Sequence, residues 1–352
     1  MGRLGWATLN MTVLDHLTAK KAPPTMSVAP FKTARASAPR VSVIINNFNY
    51  GTLIGEAIDS ALRQSAPDVE VIVVDDGSTD GSIEVIDGYG SKIRRIYQPN
   101  GGQAAAINAG VRASRGEILC FLDADDWWAE DKVAAVVEAF AADPGAALVY
   151  HRQQPVQSDG TYIMKPLPTT LCSGDLSPML RRSAGFWPFP LTSAIALRRS
   201  AWDAVGDIPE TFRISADAWL VGIYPFIGRV SALPSALGFY RVHGNNNWTR
   251  LDQDAAHVRK CMAHWRKTVE TTDQFLEARG IGASLQLKDH FPYRVFEATL
   301  NGCGLTDRVT LAWKGMLFQG EPNLLRRTRN AFRAALTLPS TGIERSASEP
   351  SR

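Results

Sequence analysis

This chain of 352 residues lacks paired cysteines, long apolar runs and a secretory signal. Because its four cysteines stand far apart and form no C-x-x-C pair, neither a disulfide framework nor a zinc site is expected. No apolar run approaches the roughly 18 residues of a membrane-spanning helix, so the chain is not expected to cross a bilayer. Together these absences predict a reducing, cytoplasmic location.

Net charge is also small, at +3 from 38 basic and 35 acidic side chains. A protein so close to neutrality is not expected to bind nucleic acid through its overall charge. The charge is unevenly placed, because residues 1–40 hold six basic side chains and one acidic, and residues 321–352 hold six basic and three acidic. The body between these ends is therefore acidic, which predicts a bound cation within it.

Short β-branched runs alternate with helical patterns from residue 41 onward. This alternation predicts an α/β fold in which helices flank a mostly parallel, mixed sheet. Residues 151–190 contain six prolines and predict a long irregular excursion over the sheet. From residue 252 to about 336 the pattern is helical. The predicted strands are 41–45, 69–74, 93–97, 117–122, 146–150, 194–197 and 230–240.

The loops that follow four of these strands are rich in amides and carboxylates: NNFNYG at 46–51, DDGSTD at 75–80, NGGQ at 100–103 and DADD at 123–126. Ligands of open α/β sheets bind beyond the carboxyl ends of the strands, so we expect these side chains to converge. Asp123 and Asp125, spaced as D-x-D, suit Mg²⁺ or Mn²⁺ bound together with phosphate. Alternatively, Asp123 and Asp126 cap a helix that begins near Glu130.

Four segments in this order resemble the family 2 glycosyltransferases of the GT-A fold: VSVIINNFNY at 41–50, VVDDGSTDG at 73–81, NGGQAAAINAG at 100–110 and GEILCFLDADD at 116–126. The resemblance covers roughly residues 40–245. It implies an inverting hexosyl- or N-acetylhexosaminyltransferase with a nucleotide-sugar donor, most often UDP-linked, and with Mn²⁺ or Mg²⁺ as cofactor. By analogy it also suggests a role in bacterial surface polysaccharide or glycoconjugate assembly.

With this resemblance the chain divides into four parts. We expect a flexible basic extension over 1–40 and a GT-A catalytic domain over 41–250. A helical subdomain over 251–337 and a flexible tail over 338–352 are expected to follow.

The resemblance also implies which residues bind the donor. Asn46 and Phe48 would contact the base, and Asp76 would accept a hydrogen bond from a uracil ring. Asp123 would lie at the ribose or sugar hydroxyls, and Gln103 would belong to the donor pocket. Asp125 of the D-x-D motif would bind the metal ion that bridges the diphosphate.

Asp217, in ISADAW at 214–219, matches the position of the family's catalytic acidic residue. An inverting transfer needs a general base within reach of the acceptor hydroxyl, and we expect Asp217 to be that base. The metal at Asp125 would stabilise charge on the leaving nucleoside diphosphate. Capping of a helix is the alternative role for Asp217.

His243, in YRVHGNN at 240–246, resembles the family's Tyr-Arg-x-His segment, whose imidazole reaches the metal or the donor phosphates. A structural or exposed role is the alternative for this histidine. Arg241 in the same segment could pair with a phosphate or with the acidic loops. His257 and His264 lie seven residues apart on a predicted helix, and we expect both to be surface residues.

The acceptor is expected to be a saccharide or a lipid-linked molecule. Aromatic residues in FWPFP at 186–190, together with Trp127 and Trp128, either stack on sugar rings or belong to the core. Residues 321–337 combine leucines and Phe332 with four arginines. Such a helix either lies peripherally on the inner face of the plasma membrane or packs its apolar side onto the catalytic domain.

Other functions are disfavoured by the same loops. The first predicted strand is not followed by G-x-G-x-x-G, which argues against a dinucleotide oxidoreductase. A sugar-phosphate nucleotidyltransferase would need a Gly-rich loop with a nearby Arg and Lys after that strand. A degenerate transferase that only binds nucleotide or saccharide stays open, although Asp76, Asp125, Asp217 and His243 together argue against it.

Overall fold

The structure is a computed structural model, and it describes residues 41–243, 255–282 and 284–340. The extension predicted over 1–40 and residues 341–352 of the predicted tail lie outside the described residues. The strands of the described ranges are β1 (Val41–Asn47), β2 (Val69–Asp75), β3 (Arg94–Tyr97), β4 (Ile118–Asp123), β5 (Trp127–Trp128), β6 (Ala146–Val156), β7 (Ile195–Arg198) and β8 (Arg229–Arg241). Their helices are α1 (Ile54–Leu62), α2 (Ser82–Asp87), α3 (Gln103–Ala113), α4 (Lys132–Ala142), α5 (Ser177–Arg182), α6 (Arg199–Val205), α7 (Asp217–Ile227), α8 (Ala255–Ala278), α9 (Phe291–Asn301), α10 (Leu305–Leu317) and α11 (Leu324–Thr337).

The strands form a mixed sheet in the order β3-β2-β1-β4-β7-β6-β8-β5. The first four strands of that order run parallel to one another, as crossover helices require. β7 is antiparallel to both of its neighbours, and β8 is parallel to β6. With helices packed on the sheet and further helices after it, the predicted fold class is confirmed.

Helices cover both faces of the central strands, which explains their nearly unbroken apolar sequences. Val43 and Ile45 of β1 pack in one cluster with Ile58 of α1. Ile44, whose side chain points to the other face, belongs to a second cluster that includes Ile107 of α3. Gly110 allows α3 to lie this close, because a Cβ atom there would stand only 2.4 Å from Cγ2 of Ile44.

Two features of the sheet differ from the prediction. β6 continues to Val156, past the predicted end at residue 150, because its polar side chains His151, Gln153 and Gln154 are buried beside β8. The irregular excursion therefore begins after β6 and contains α5. The short strand β5 was not predicted, and it pairs Trp127 with Phe239 at the end of β8.

The C-terminal helices build a separate apolar cluster around Val295, Phe296, Leu311 and Ala334. Within the described ranges, no helix is both long and apolar enough to span a membrane. On α11 the small residues face this cluster, whereas Leu324, Leu325, Phe332 and Leu336 are exposed. Packing of these large apolar side chains onto the catalytic domain, one of the two expectations for this helix, is therefore wrong.

Candidate active site

The ends of β1 and β4 bring three of the predicted donor residues together. Asn46 lies beside Asp123 in the sheet register, and its Nδ2 donates to Oδ1 of Asp123 at 3.0 Å. Gln103, the first residue of α3, donates from Nε2 to the same oxygen at 2.9 Å. Two side-chain amides thus hold one carboxylate at the edge of the sheet.

Gln103 also connects this carboxylate to Asp217. Its Oε1 accepts a hydrogen bond from the backbone N–H of Ala216 at 2.9 Å, directly before α7. Asp217 is the first residue of that helix, and its carboxylate accepts from the backbone N–H of Ala218 at 3.1 Å. Asp217 therefore does contact the backbone at the start of α7, although the N-cap residue is Ala216.

Burial of the acidic residues at this place has a strong electrostatic effect. It raises the pKa of Asp217 to about 6. Burial, followed by the charges of Asp125 and Asp217, raises the pKa of Asp123 to about 7. The pKa of Asp126 is held well above its usual range by burial and by its acidic neighbours. We call Asp123, Asp125 and Asp126 the carboxylate edge. A bound cation would relieve the repulsion between these carboxylates.

Asp126 is fixed in the interior by three donors. Its oxygens accept from Oγ of Ser193 at 2.7 Å, from Nε2 of Gln153 at 3.1 Å and from the backbone N–H of Arg241 at 3.0 Å. Since α4 begins only at Lys132, the alternative in which Asp123 and Asp126 cap a helix is wrong. Neither Ser193 nor Gln153 was predicted from the sequence, because both lie outside the motifs and in distant parts of the chain.

Asp125 and His243 lie in direct contact. Nε2 of His243 is 3.0 Å from Oδ2 of Asp125, and both side chains are largely buried, with 14% and 13% exposed. The exposed alternative for His243 is therefore wrong. Tyr50, for which no role was predicted from the sequence, also lies here. Burial and the negative charge of Asp125 raise the pKa of its hydroxyl, and its ring meets that of His243 edge-on at 5.7 Å.

A metal ion at this pair would need further ligands. The described part of the chain contains no group of three or more His, Cys, Asp or Glu side chains placed to hold one. One carboxylate and one imidazole nevertheless fit a Mg²⁺ or Mn²⁺ site that substrate phosphates and water complete.

Arg241 contacts helix α1 and the loop that follows β4. Its guanidinium forms an ion pair with Glu56 and donates from Nε to the backbone oxygen of Asp125 at 3.0 Å. It also lies 4.4 Å from the ring of Trp127. These contacts link β8 to the loop that carries Asp125.

Asp76 and Phe48 occupy the loops after β2 and β1. Asp76 is buried and accepts from Nε2 of Gln98 and from the backbone N–H groups of Gly101 and Gly102, at 2.7, 2.9 and 2.7 Å. In this structure it therefore shapes the loop that leads into α3. The Phe48 ring is exposed to solvent.

The two histidines of α8 do not lie on the surface, so that expectation is wrong. His257 is buried, His264 is half-buried, and both line a cavity that reaches Asp217. Both histidines face the space that α8 encloses with α7 and α9. Trp128 and Trp187 belong to the core, whereas Phe186 and Phe189 line the same cavity.

Comparison with known proteins gives related sequences. The model of glycosyl transferase family 2 matches residues 42–205. An uncharacterised glycosyltransferase of Nostoc sp. is 35% identical over 261 residues, which cover 72% of this chain and 81% of that protein. The chondroitin synthase of Pasteurella multocida is 38% identical over 128 residues, so the match covers 36% of this chain and only 13% of that enzyme.

Among solved structures, S. aureus TarS in complex with UDP has a TM-score of 0.49 and 16% identity, covering 88% of this chain and 91% of that chain. The family assignment depends on the sequence relatives alone. The resemblance noted from the four loop motifs is confirmed by the match over most of the Nostoc protein. This chain belongs to glycosyl transferase family 2.

Proposed function

We propose that this chain is a metal-dependent inverting glycosyltransferase that moves a sugar from a nucleotide-sugar donor, UDP-linked in the first instance, to a saccharide or lipid-linked acceptor. The observation that carries the proposal is the bridge made by Gln103. One side chain bonds both Asp123, proposed to contact the donor, and the backbone directly before Asp217, the proposed base. The proposed donor contact and the proposed base are thereby held in a fixed position relative to each other.

The donor would bind along the strand ends. Asn46, Phe48, Asp76, Gln103 and Asp123 are the proposed donor residues, in the loops after β1, β2 and β4 and at the start of α3. Asp125 and His243 would hold Mn²⁺ or Mg²⁺, as their contact at 3.0 Å supports. When bound, such an ion supplies positive charge to the diphosphate that leaves.

Asp217 would take the proton of the acceptor hydroxyl. A pKa of about 6 leaves its carboxylate ionised at neutral pH but basic enough to accept a proton. We propose residues 41–250 as the catalytic domain and 251–337 as a helical subdomain.

The proposal is tested by incubating the full chain with UDP-, GDP- and dTDP-sugars, with Mn²⁺ or with EDTA. Thermal stabilisation by one donor in Mn²⁺ alone, with slow release of free sugar, is expected. Stabilisation without any hydrolysis or transfer would indicate the degenerate binding protein instead. The absence of any metal-dependent stabilisation would contradict both functions.

We further propose that the outer sides of α10 and α11 contact an anionic membrane surface, at the inner face of the plasma membrane. Trp313, Leu325 and Leu336 are 61%, 84% and 78% exposed and point away from the apolar cluster beneath them. Arg329 and Arg333, also exposed, flank these side chains on α11. Large apolar side chains beside arginines match the boundary between lipid tails and acidic headgroups.

Co-sedimentation with phosphatidylglycerol and phosphatidylcholine vesicles tests this surface. We expect binding to the anionic vesicles that falls at high salt and is lost in the double variant Leu325→Ser/Leu336→Ser. The matched control is Ile83→Ser, which changes an exposed apolar residue of α2. Equal sedimentation of the double variant and the control would contradict the membrane contact.

A further inference from the structure

A cavity of about 230 Å³ lies between α7, α8, α9 and the segment 167–191. Its wall is mostly apolar and includes Phe186, Phe189, Val221, Trp265, Val269 and Phe296. The volume lies just below the range of about 300–1,000 Å³ that small-molecule sites occupy. An empty apolar cavity of this size lowers the stability of the fold, because the side chains that line it lose packing contacts.

The beginning of α7 forms one side of this cavity. Ser215, Asp217 and Ala218 all contribute to the wall there. Among the described residues that line the cavity, Asp217 is the one carboxylate, and no lysine or arginine takes part. The cavity is therefore suited to an uncharged, apolar group and unsuited to a diphosphate.

Small residues line the place where two of these helices lie close together. Gly222 of α7 and Thr268 of α8 both line the cavity. A Cβ atom at Gly222 would stand 3.1 Å from Oγ1 of Thr272, so glycine permits this close approach. His264 and His290 also line the wall, and burial lowers their pKa values to about 4 and about 3, which leaves both imidazoles uncharged at neutral pH.

We propose that this cavity binds an apolar group of the acceptor and thereby presents the neighbouring acceptor hydroxyl to Asp217. The inference rests on the proposed function, in which Asp217 is the base. The acceptor is then an amphipathic alcohol, with an aliphatic or aromatic group beside the hydroxyl that reacts. A saccharide joined to such a group belongs to this class, whereas a free saccharide does not.

The transfer step follows from this placement. The hydroxyl proton passes to the carboxylate of Asp217, and the acceptor oxygen forms a bond to the anomeric carbon of the donor. The bond between that carbon and the diphosphate oxygen breaks, and its electron pair leaves with the nucleoside diphosphate. The apolar group in the cavity contributes binding and orientation to this step.

The first experiment compares three glucosides that differ only in their apolar group. Methyl, phenyl and n-octyl β-D-glucoside, the last below its micelle concentration, are titrated into the full chain by calorimetry. Each methylene that enters the cavity contributes roughly fourfold in affinity, so the octyl compound should bind at least roughly 50-fold more tightly than the methyl compound. If the phenyl compound binds more tightly than the octyl one, the group is aromatic. Equal affinity of all three would overturn the proposal.

The second experiment fills the cavity from α8. Thr268→Phe places a ring in the cavity, and the hydroxyl it removes bonds the backbone oxygen of His264 in the same helix at 3.0 Å. Thr271→Phe, three residues further on and off the cavity wall, is the matched control. We expect Thr268→Phe to lose at least roughly tenfold in octyl glucoside affinity and Thr271→Phe to retain it.

UDP binding in Mn²⁺ is measured on the same two variants. Unchanged UDP binding shows that Thr268→Phe is folded and separates the cavity from the donor site. If folded Thr268→Phe bound octyl glucoside with unchanged affinity, the cavity proposal would be overturned. The proposed transferase function would not be affected by that result. If the unmodified chain showed no metal-dependent UDP binding, this result would instead contradict the proposed transferase function.

Discussion

The carboxylate edge and the apolar cavity differ in nearly every property, yet both reach Asp217. At the edge, Asp123 and Asp126 are each held by side-chain donors. The cavity wall is mostly apolar, and two of its histidines, His264 and His290, are uncharged at neutral pH. Asp217 therefore lies where the proposed charged donor and the proposed apolar acceptor would meet.

Burial acts on both regions, but it shifts the pKa values in opposite directions. It raises the pKa of Asp123 to about 7 and of Asp217 to about 6, and it lowers that of His264 to about 4. In each case the neutral form is favoured, because the interior solvates charge poorly. At neutral pH the imidazoles of His264 and His290 in the cavity wall are therefore uncharged, whereas Asp217, with a pKa of about 6, is ionised.

The largest expected effect comes from changing the residue that the two regions share. Asp217→Asn keeps the size of the side chain but removes the base, so transfer should fall by about 10²–10⁴-fold. Nucleotide affinity, measured by calorimetry, should stay within about twofold, because the donor residues are intact. In the unmodified protein, transfer should rise with pH through about 6 as Asp217 ionises. If Asp217→Asn retained most of its turnover, the residue would act only at the start of α7.

The second largest effect is expected at the carboxylate edge alone. Asp125→Ala removes the carboxylate that contacts His243, and UDP affinity in Mn²⁺ should fall by at least about tenfold. With EDTA the variant and the unmodified chain should bind UDP equally. The control is Asp131→Ala, since this exposed aspartate before α4 makes no side-chain capping bond. Equal affinities of Asp125→Ala and Asp131→Ala in Mn²⁺ would remove Asp125 from the metal site.

The two regions also differ in how far the sequence predicted them. Asn46, Asp123 and Gln103 could be predicted to converge, because they follow parallel strands and parallel strands end at the same edge. Ser193 and Gln153 could not, since their role depends on β6 and β7 joining the sheet beside β4. The cavity is a harder case, because its wall combines the irregular segment 167–191 with three helices whose packing no local pattern encodes.

A smaller effect is expected on stability at the edge. Ser193→Ala removes the hydroxyl that donates to buried Asp126 at 2.7 Å, and the free energy of unfolding should fall by about 1–3 kcal/mol. Ser177→Ala is the matched control, because it breaks a serine–aspartate bond of 2.6 Å that is exposed to water. Its cost should stay below about 0.5 kcal/mol in urea denaturation. Equal losses in the two variants would mean that Asp126 does not need its buried partner.

The smallest effect distinguishes the cavity from the edge by the sign of its pH dependence. The pKa of His264 is about 4 in the folded chain against about 6.5 when unfolded, so the unfolded chain binds more protons between these values. This residue's contribution to stability is therefore present above pH 6.5 and is lost as the pH falls toward 4. Between pH 7 and 5.5 the unmodified chain should lose roughly 1 kcal/mol more than His264→Gln, measured by urea denaturation at both pH values. The acidic residues of the edge shift stability in the opposite direction in both proteins, so the difference isolates the histidine. Identical losses would mean that His264 is as well solvated in the folded chain as in the unfolded one.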